Sequence, residues 1–339
     1  MDTINTDNIN IINSNNCSED NIDVDKCNDK CNDKEIDHVK PVDDTKIHHI
    51  VISGGGVDIL SFYGALRETN KRGMWDISNI TSIYGTSAGS MLGVMLLLKY
   101  DWDMLDNYII NRPWQNVFKC NMYTIIDSFQ KRGVFDIKII EEIFLPLFKG
   151  KDISIDITMQ EFFEMTTIDL HIYTVDINDF EPIDISHKTH PNWRVIEAVY
   201  ASSSLPFIFK PFLKDGICYS DGGILLNYPL INCIRNGGIP NEIMGISKEC
   251  DNNDNNTIRD ESNIFDYLLL IFSKMLKKIR RNNINNNDDN IQIKFQIVIN
   301  SSYTTLLLII NAASSVNERI AIIKKGVDAV ELLSKQGQH

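Results

Sequence analysis

A serine hydroxyl attacks an ester carbonyl only when its proton can be taken and its line of approach is open. The run Gly85-Thr86-Ser87-Ala88-Gly89 has the composition of a sharp strand-to-helix turn, which would meet the second need. Small residues two before and two after the serine let strand and helix approach, and Ala88 adds little bulk. An apolar stretch precedes the run at Ile80–Tyr84 and another follows at Ser90–Tyr100. In that context Ser87 reads as a nucleophile, with Gly85 and Gly89 forming its elbow. The competing reading is a structural turn carrying an idle serine.

Ser53-Gly54-Gly55-Gly56 ends an earlier apolar run, and three glycines in succession leave backbone N–H groups unshielded. Such a loop can cradle a phosphate or stabilise an oxyanion. Ile59 breaks the dinucleotide-binding spacing, and no Gly-Lys-Ser or Gly-Lys-Thr follows to make a nucleotide phosphate loop. An oxyanion hole of Gly54, Gly55 and Gly56 serving Ser87 is the better functional reading, set against a plain glycine-rich connection. The base is harder to find. After Asp221-Gly222-Gly223 the only histidine is His339 at the chain end, so a triad in the order serine, acid, histidine has no credible third member. His171, His187 and His190 could serve only with an earlier acid. A carboxylate acting directly on Ser87 remains, provided Asp221 lies within hydrogen-bond reach. Taken alone, Asp-Gly-Gly is a common turn.

The elements that must position these groups alternate. Strands are expected near 48–52 and 80–84, the second stopped by Gly85, each followed by a glycine turn and a helix, at 58–72 and 90–100. Further helices are expected over 135–149, from Arg194 and over 317–335, and further strands over 170–175, 243–246 and 291–300, while Gly216–Tyr219 leads into Asp221-Gly222-Gly223. This alternation specifies an α/β fold with a largely parallel sheet. Tyr267–Arg281 carries an apolar stripe beside Lys274, Lys277, Lys278, Arg280 and Arg281. It fits either a core-facing helix with a solvated side or a peripheral membrane contact. Leu306–Ile310 is too short to span and is expected in the core.

Together, and in this order, the segments resemble the patatin-like phospholipase family. The resemblance rests on the glycine run, the Ser87 elbow and the Asp221-Gly222-Gly223 turn. Tyr63-Gly64-Ala65-Leu66, Ala201–Phe207 and Asn227-Tyr228-Pro229 support it, and it extends over about residues 48–335. It implies a three-layer α/β/α fold with a central, mostly parallel sheet. It also implies a Ser87–Asp221 dyad without histidine that hydrolyses phospholipids or other acyl-ester lipids through an acyl-enzyme, without metal or cofactor. Asp58 and Ile59 depart from the pattern, standing where the family has a basic residue and a glycine. Asp58 would reverse the sign of the potential near the oxyanion hole. The departure opens an alternative, a catalytically silent lipid-binding protein with the same fold.

Charge and composition set the outer limits. The chain has 339 residues and a net charge of −13, which argues against a nucleic-acid binder. Residues 1–46 hold 12 acids, 5 lysines and no aromatic residue, so they are expected to form a disordered Asn/Asp-rich tail outside a catalytic domain at 47–335. Polar insertions are expected near 249–262 and 281–290. Cys17, Cys27, Cys31 and His38 miss the paired spacing of a zinc site. A secretory leader and a membrane span are both absent from the pattern, and the seven cysteines suit a reducing compartment, so a cytoplasmic location is expected.

Overall fold

The computed structural model describes residues 46–120, 122–250, 258, 260, 264–284, 291–301 and 304–336. The acidic tail, with its cysteines and His38, lies outside these residues, as does most of the two polar insertions.

The strands are β1 (His49–Ile52), β2 (Ser82–Thr86), β3 (Gly133–Phe135), β4 (Asp169–Asp176), β5 (Glu181–Ile185), β6 (Phe207–Phe209), β7 (Phe212–Lys214), β8 (Ile217–Asp221), β9 (Ile243–Cys250) and β10 (Phe295–Ser301). The helices are α1 (Ile59–Lys71), α2 (Ala88–Leu97), α3 (Trp102–Asn111), α4 (Met122–Lys131), α5 (Lys138–Lys149), α6 (Met159–Thr166), α7 (Val195–Ser203), α8 (Leu230–Arg235), α9 (Ile264–Ile284), α10 (Leu306–Ser314) and α11 (Val316–Gln336).

The main sheet runs β10-β9-β1-β2-β4-β8-β7, with β5 also paired to β4. Its β10, β9, β1, β2 and β4 strands are mutually parallel, and β8, β7 and β5 join antiparallel. It is therefore mixed but mostly parallel, in a three-layer α/β/α arrangement. The layering follows from alternation along the strands. Ile50, Ile52, Ile83, Leu170 and Ile172 enter the large core under α1, α2 and α7. Val51, Tyr84 and Tyr173 face the other way, onto Leu230 and Cys233 of α8. Burial on both faces gives these strands near-continuous apolar runs.

Two boundaries differ from the sequence expectation. β2 does not stop at Gly85 but pairs through Gly85↔Ile172 and Thr86↔Tyr173. Pairing uses only the backbone, and the missing side chain admits α2, since a Cβ on Gly85 would meet the Gly89 carbonyl carbon at 2.7 Å. The helix expected from 135 begins at Lys138, because Gly133–Phe135 pairs instead with Phe207–Phe209. That helix also contains Pro146, which removes one helical N–H. The Glu142 carbonyl left without its helical donor accepts from Arg112 Nη2 at 2.8 Å.

The register brings the two chemical residues together. Thr86 pairs with Tyr173, so Ser87, the next residue, comes level with Thr174. Thr174 pairs with Asp221 on the opposite side of β4. The hairpin that delivers β8 turns at Asp215-Gly216, both at positive φ (52° and 80°), as a tight two-residue connection demands.

Candidate active site

Ser87 sits between β2 and α2 at φ 52°, ψ −118°, a conformation that side-chain-bearing residues adopt only under constraint. The constraint is visible. The Ser87 N–H donates to Ser202 Oγ at 2.8 Å, and Ser202 Oγ donates to the Tyr173 carbonyl at 2.6 Å. The Ser87 carbonyl accepts from Ser90 Oγ at 2.6 Å and from the Ser90 N–H at 2.9 Å. On Gly89 a Cβ would collide with the Ile52 carbonyl oxygen, so the elbow closes only with glycine there.

Ser87 Oγ donates to Asp221 Oδ2 at 2.7 Å. The other carboxylate oxygen accepts the Gly223 N–H at 2.7 Å, which fixes the rotation of the carboxylate. Gly222 is required because a Cβ would strike the Tyr173 carbonyl oxygen. Both residues are buried, Ser87 8% and Asp221 5% exposed, so their hydrogen bond is shielded from competing water.

The glycine run lies beside this pair. The Gly54 N–H is committed to the Asn227 carbonyl at 2.9 Å, which narrows the expected oxyanion donors. The N–H groups of Gly55 and Gly56 have no acceptor among the described residues, and neither has that of Ala88 at the start of α2. Gly56 has φ 58°, and a Cβ there would collide with Thr304. The Gly55 carbonyl accepts from the Asp58 N–H at 3.2 Å, from Thr304 Oγ1 at 3.2 Å and from Lys248 Nζ at 3.5 Å. Fixing that oxygen fixes the planar peptide whose opposite end is the Gly56 N–H.

The departures at 58 and 59 take on a different meaning here. Asp58 does not leave net negative charge at the loop. Its side chain, 3% exposed, pairs through Oδ2 with Lys248 Nζ at 2.6 Å and accepts Ser301 Oγ on Oδ1 at 2.8 Å. The cation is supplied from β9 rather than from position 58. Ile59 has φ −46°, ψ −36°, ordinary right-handed helix that requires no glycine.

A cavity of about 280 Å³ opens from Ser87, Asp221 and the glycine run. Its wall is predominantly apolar, including Met91, Leu92, Ile140, Phe209, Leu269 and Phe272, and among the described residues it contains no histidine. The three candidate histidines are engaged elsewhere. Burial opposes protonation of His171, but its hydrogen bonds and charge contacts with Asp169 and Asp184 prevail and push its pKa up to about 9. His187 stacks on Phe163 with ring centroids 3.6 Å apart. His190 packs edge-on against Trp193. Burial lowers the pKa of both.

Ser202, Lys248, Asn227 and Thr304 were not picked out as site residues by sequence reasoning. Ser202 lies inside the Ala201–Phe207 block, where a role could have been sought. Lys248 and Thr304 meet the glycine loop only through the sheet and carry no local signal. Ser202→Ala is expected to orphan the buried Ser87 N–H and the Tyr173 carbonyl. The cost is about 1–3 kcal/mol per unsatisfied group, read as a lowered midpoint in urea unfolding.

The model of the patatin-like phospholipase family matches residues 50–234, and the chain belongs to that family. It is 28% identical over 191 residues to an uncharacterised protein of Acanthamoeba polyphaga mimivirus, an alignment covering 56% of this chain and 63% of that protein. It is 25% identical over 188 residues to a protein of Invertebrate iridescent virus 6 named as a probable lipid hydrolase, covering 55% and 63%. The chain thus spans about 63% of the length of these relatives. Among solved structures, VipD from Legionella pneumophila superposes with a TM-score of 0.50 at 17% identity, over 86% of this chain and 67% of that one. This last likeness concerns the fold. Among the described residues no single helix is long and apolar enough to cross a membrane.

Proposed function

We propose that the chain is a lipid acyl hydrolase that cleaves carboxylic esters through Ser87 and Asp221. The observation that carries the reading is the 2.7 Å hydrogen bond from Ser87 Oγ to Asp221 Oδ2 at the head of an apolar cavity. Family membership and the name borne by the iridescent virus relative support a lipid ester as substrate.

The acyl chain lies in the apolar cavity with its carbonyl carbon above Ser87 Oγ. Asp221 takes the hydroxyl proton as Oγ bonds to that carbon, and the carbonyl π electrons move onto oxygen. The N–H groups of Gly55 and Gly56, with Ala88 at the positive end of α2, stabilise this oxyanion. As the tetrahedral intermediate collapses, the carbon–oxygen bond to the alcohol breaks. Protonated Asp221 returns its proton to the departing alcohol, leaving an acyl-Ser87 ester. Water then attacks the acyl carbon as Asp221 takes its proton; the bond from that carbon to Ser87 Oγ breaks, Asp221 returns the proton to Oγ, and the fatty acid leaves.

The test is labelling with a fluorophosphonate probe followed by peptide mass spectrometry. The wild type is expected to carry the label on Ser87, and His187→Gln and His190→Gln are expected to label at the wild-type rate. A folded wild type that takes no label would return the question to a catalytically silent lipid-binding protein. Loss of labelling in either folded histidine variant would favour a histidine-assisted esterase.

A further inference from the structure

We propose that α9 is an interfacial element whose outer face rests on an anionic lipid bilayer while its inner face walls the acyl cavity. This rests on the reading of that cavity as a lipid site.

The helix has two apolar faces. Leu269, Phe272 and Leu276 line the cavity. Ile264, Tyr267, Ile271 and Met275 are between 39% and 56% exposed. At 3.6 residues per turn these four fall within an arc of about 80°, whose centre lies about 130° around the helix from that of the cavity-lining three. A helix that only completed a core would turn polar residues outward. Here the outward arc is apolar over three turns, with the exposed Lys274 at its edge and the exposed Lys278 ending the same stripe. From Tyr267 to Lys278 there are three lysines and no acid, in a chain of net charge −13. Aromatic and aliphatic side chains with lysines beside them suit the boundary between acyl chains and anionic headgroups. An acidic protein surface otherwise repels such a bilayer, so the local basic stripe determines which face approaches.

Position ties the surface to the chemistry. α9 separates the cavity that opens from Ser87 from the proposed bilayer by the thickness of one helix. Phe272 on the inner face also packs edge-on against Phe207, with ring centroids 6.2 Å apart. A lipid moving from the bilayer into the cavity would need to pass only this helix.

The test uses the full chain carrying Ser87→Ala, so that vesicles are not consumed. Sedimentation is measured with vesicles of phosphatidylcholine alone and of equal parts phosphatidylcholine and phosphatidylserine. The chain is expected to pellet with the mixed vesicles. Lys274→Gln and Lys278→Gln are each expected to weaken that binding roughly five-fold at low salt. Ile271→Asp with Met275→Asp is expected to weaken it at least ten-fold, because charge replaces the inserted apolar groups. In the active chain the same aspartate pair is expected to leave hydrolysis of a soluble short-chain ester unchanged and to slow hydrolysis of vesicle lipid. A chain that stays in the supernatant with the mixed vesicles overturns the proposal, as does lysine-to-glutamine binding equal to the parent. Binding without hydrolysis of any ester by the wild type would uphold the surface and overturn the catalytic reading instead.

Discussion

Asp221→Asn is expected to lower kcat/KM for an acyl ester by roughly 10⁴-fold, with folding unchanged by circular dichroism. The substitution is nearly isosteric, and the asparagine carbonyl can still accept the Gly223 N–H that now reaches Asp221 Oδ1 at 2.7 Å. What is lost is the acceptor for the Ser87 proton. The amide nitrogen turned toward Ser87 Oγ is a donor, so the hydroxyl would have to direct its proton away from the one group placed to take it. Among the described residues no histidine lines the cavity to take over. Ser87→Ala is expected to lose at least as much. Combining the two is expected to add little, because residues that act as a unit are not additive. Steady-state kinetics on a soluble ester, single variants against the double, checks this. An Asp221→Asn enzyme retaining more than about a tenth of the wild-type rate would falsify the two-residue reading.

The parts of this site that were legible in sequence are those built from short-range chemistry. A serine between glycines, with a strand before and a helix after, states its geometry locally, because only glycine at 89 lets α2 pass the Ile52 carbonyl. The absence of a histidine between Asp221 and the chain end leaves a direct carboxylate base open, but Asp-Gly-Gly alone reads as a common turn, and it is the family resemblance that implies Asp221. Its placement depends on an Asp215-Gly216 hairpin whose signal was present in the sequence but not used. β6 and β7 are three residues each, too short for alternation to be recognised. β5 begins with two exposed residues, which hides the apolar pattern of a strand. Least legible was the meaning of Asp58. Read alone it is an acid in the first turn of a helix, or a wrong charge at the oxyanion loop. Its partner is 190 positions away on β9, and only the β1–β9 pairing brings Lys248 to it.

That pair leads to the second large effect. Asp58→Arg, which the charge pattern alone would suggest as a gain, is expected to destabilise the fold by about 3–5 kcal/mol. It puts a second cation against Lys248 Nζ, whose side chain is 9% exposed and whose present counterion lies 2.6 Å away. Lys248→Met is expected to cost a similar amount by leaving the Asp58 carboxylate buried with only the Ser301 hydroxyl. The double variant Asp58→Asn/Lys248→Met removes both charges, and its unfolding midpoint is expected to recover most of the way, because neither ion is left uncompensated. Its activity is not expected to recover. Lys248 Nζ also reaches the Gly55 carbonyl, whose peptide ends in the Gly56 N–H. With that contact gone, the oxyanion donor is held less firmly, and the rate should fall by roughly 10²-fold, comparable to loss of one oxyanion donor. Urea unfolding and ester kinetics on the four chains of this cycle separate the two roles. Stability that returns while kcat stays low identifies Lys248 as the group that holds the loop. Full return of both would reduce the pair to a buried charge match without a part in catalysis.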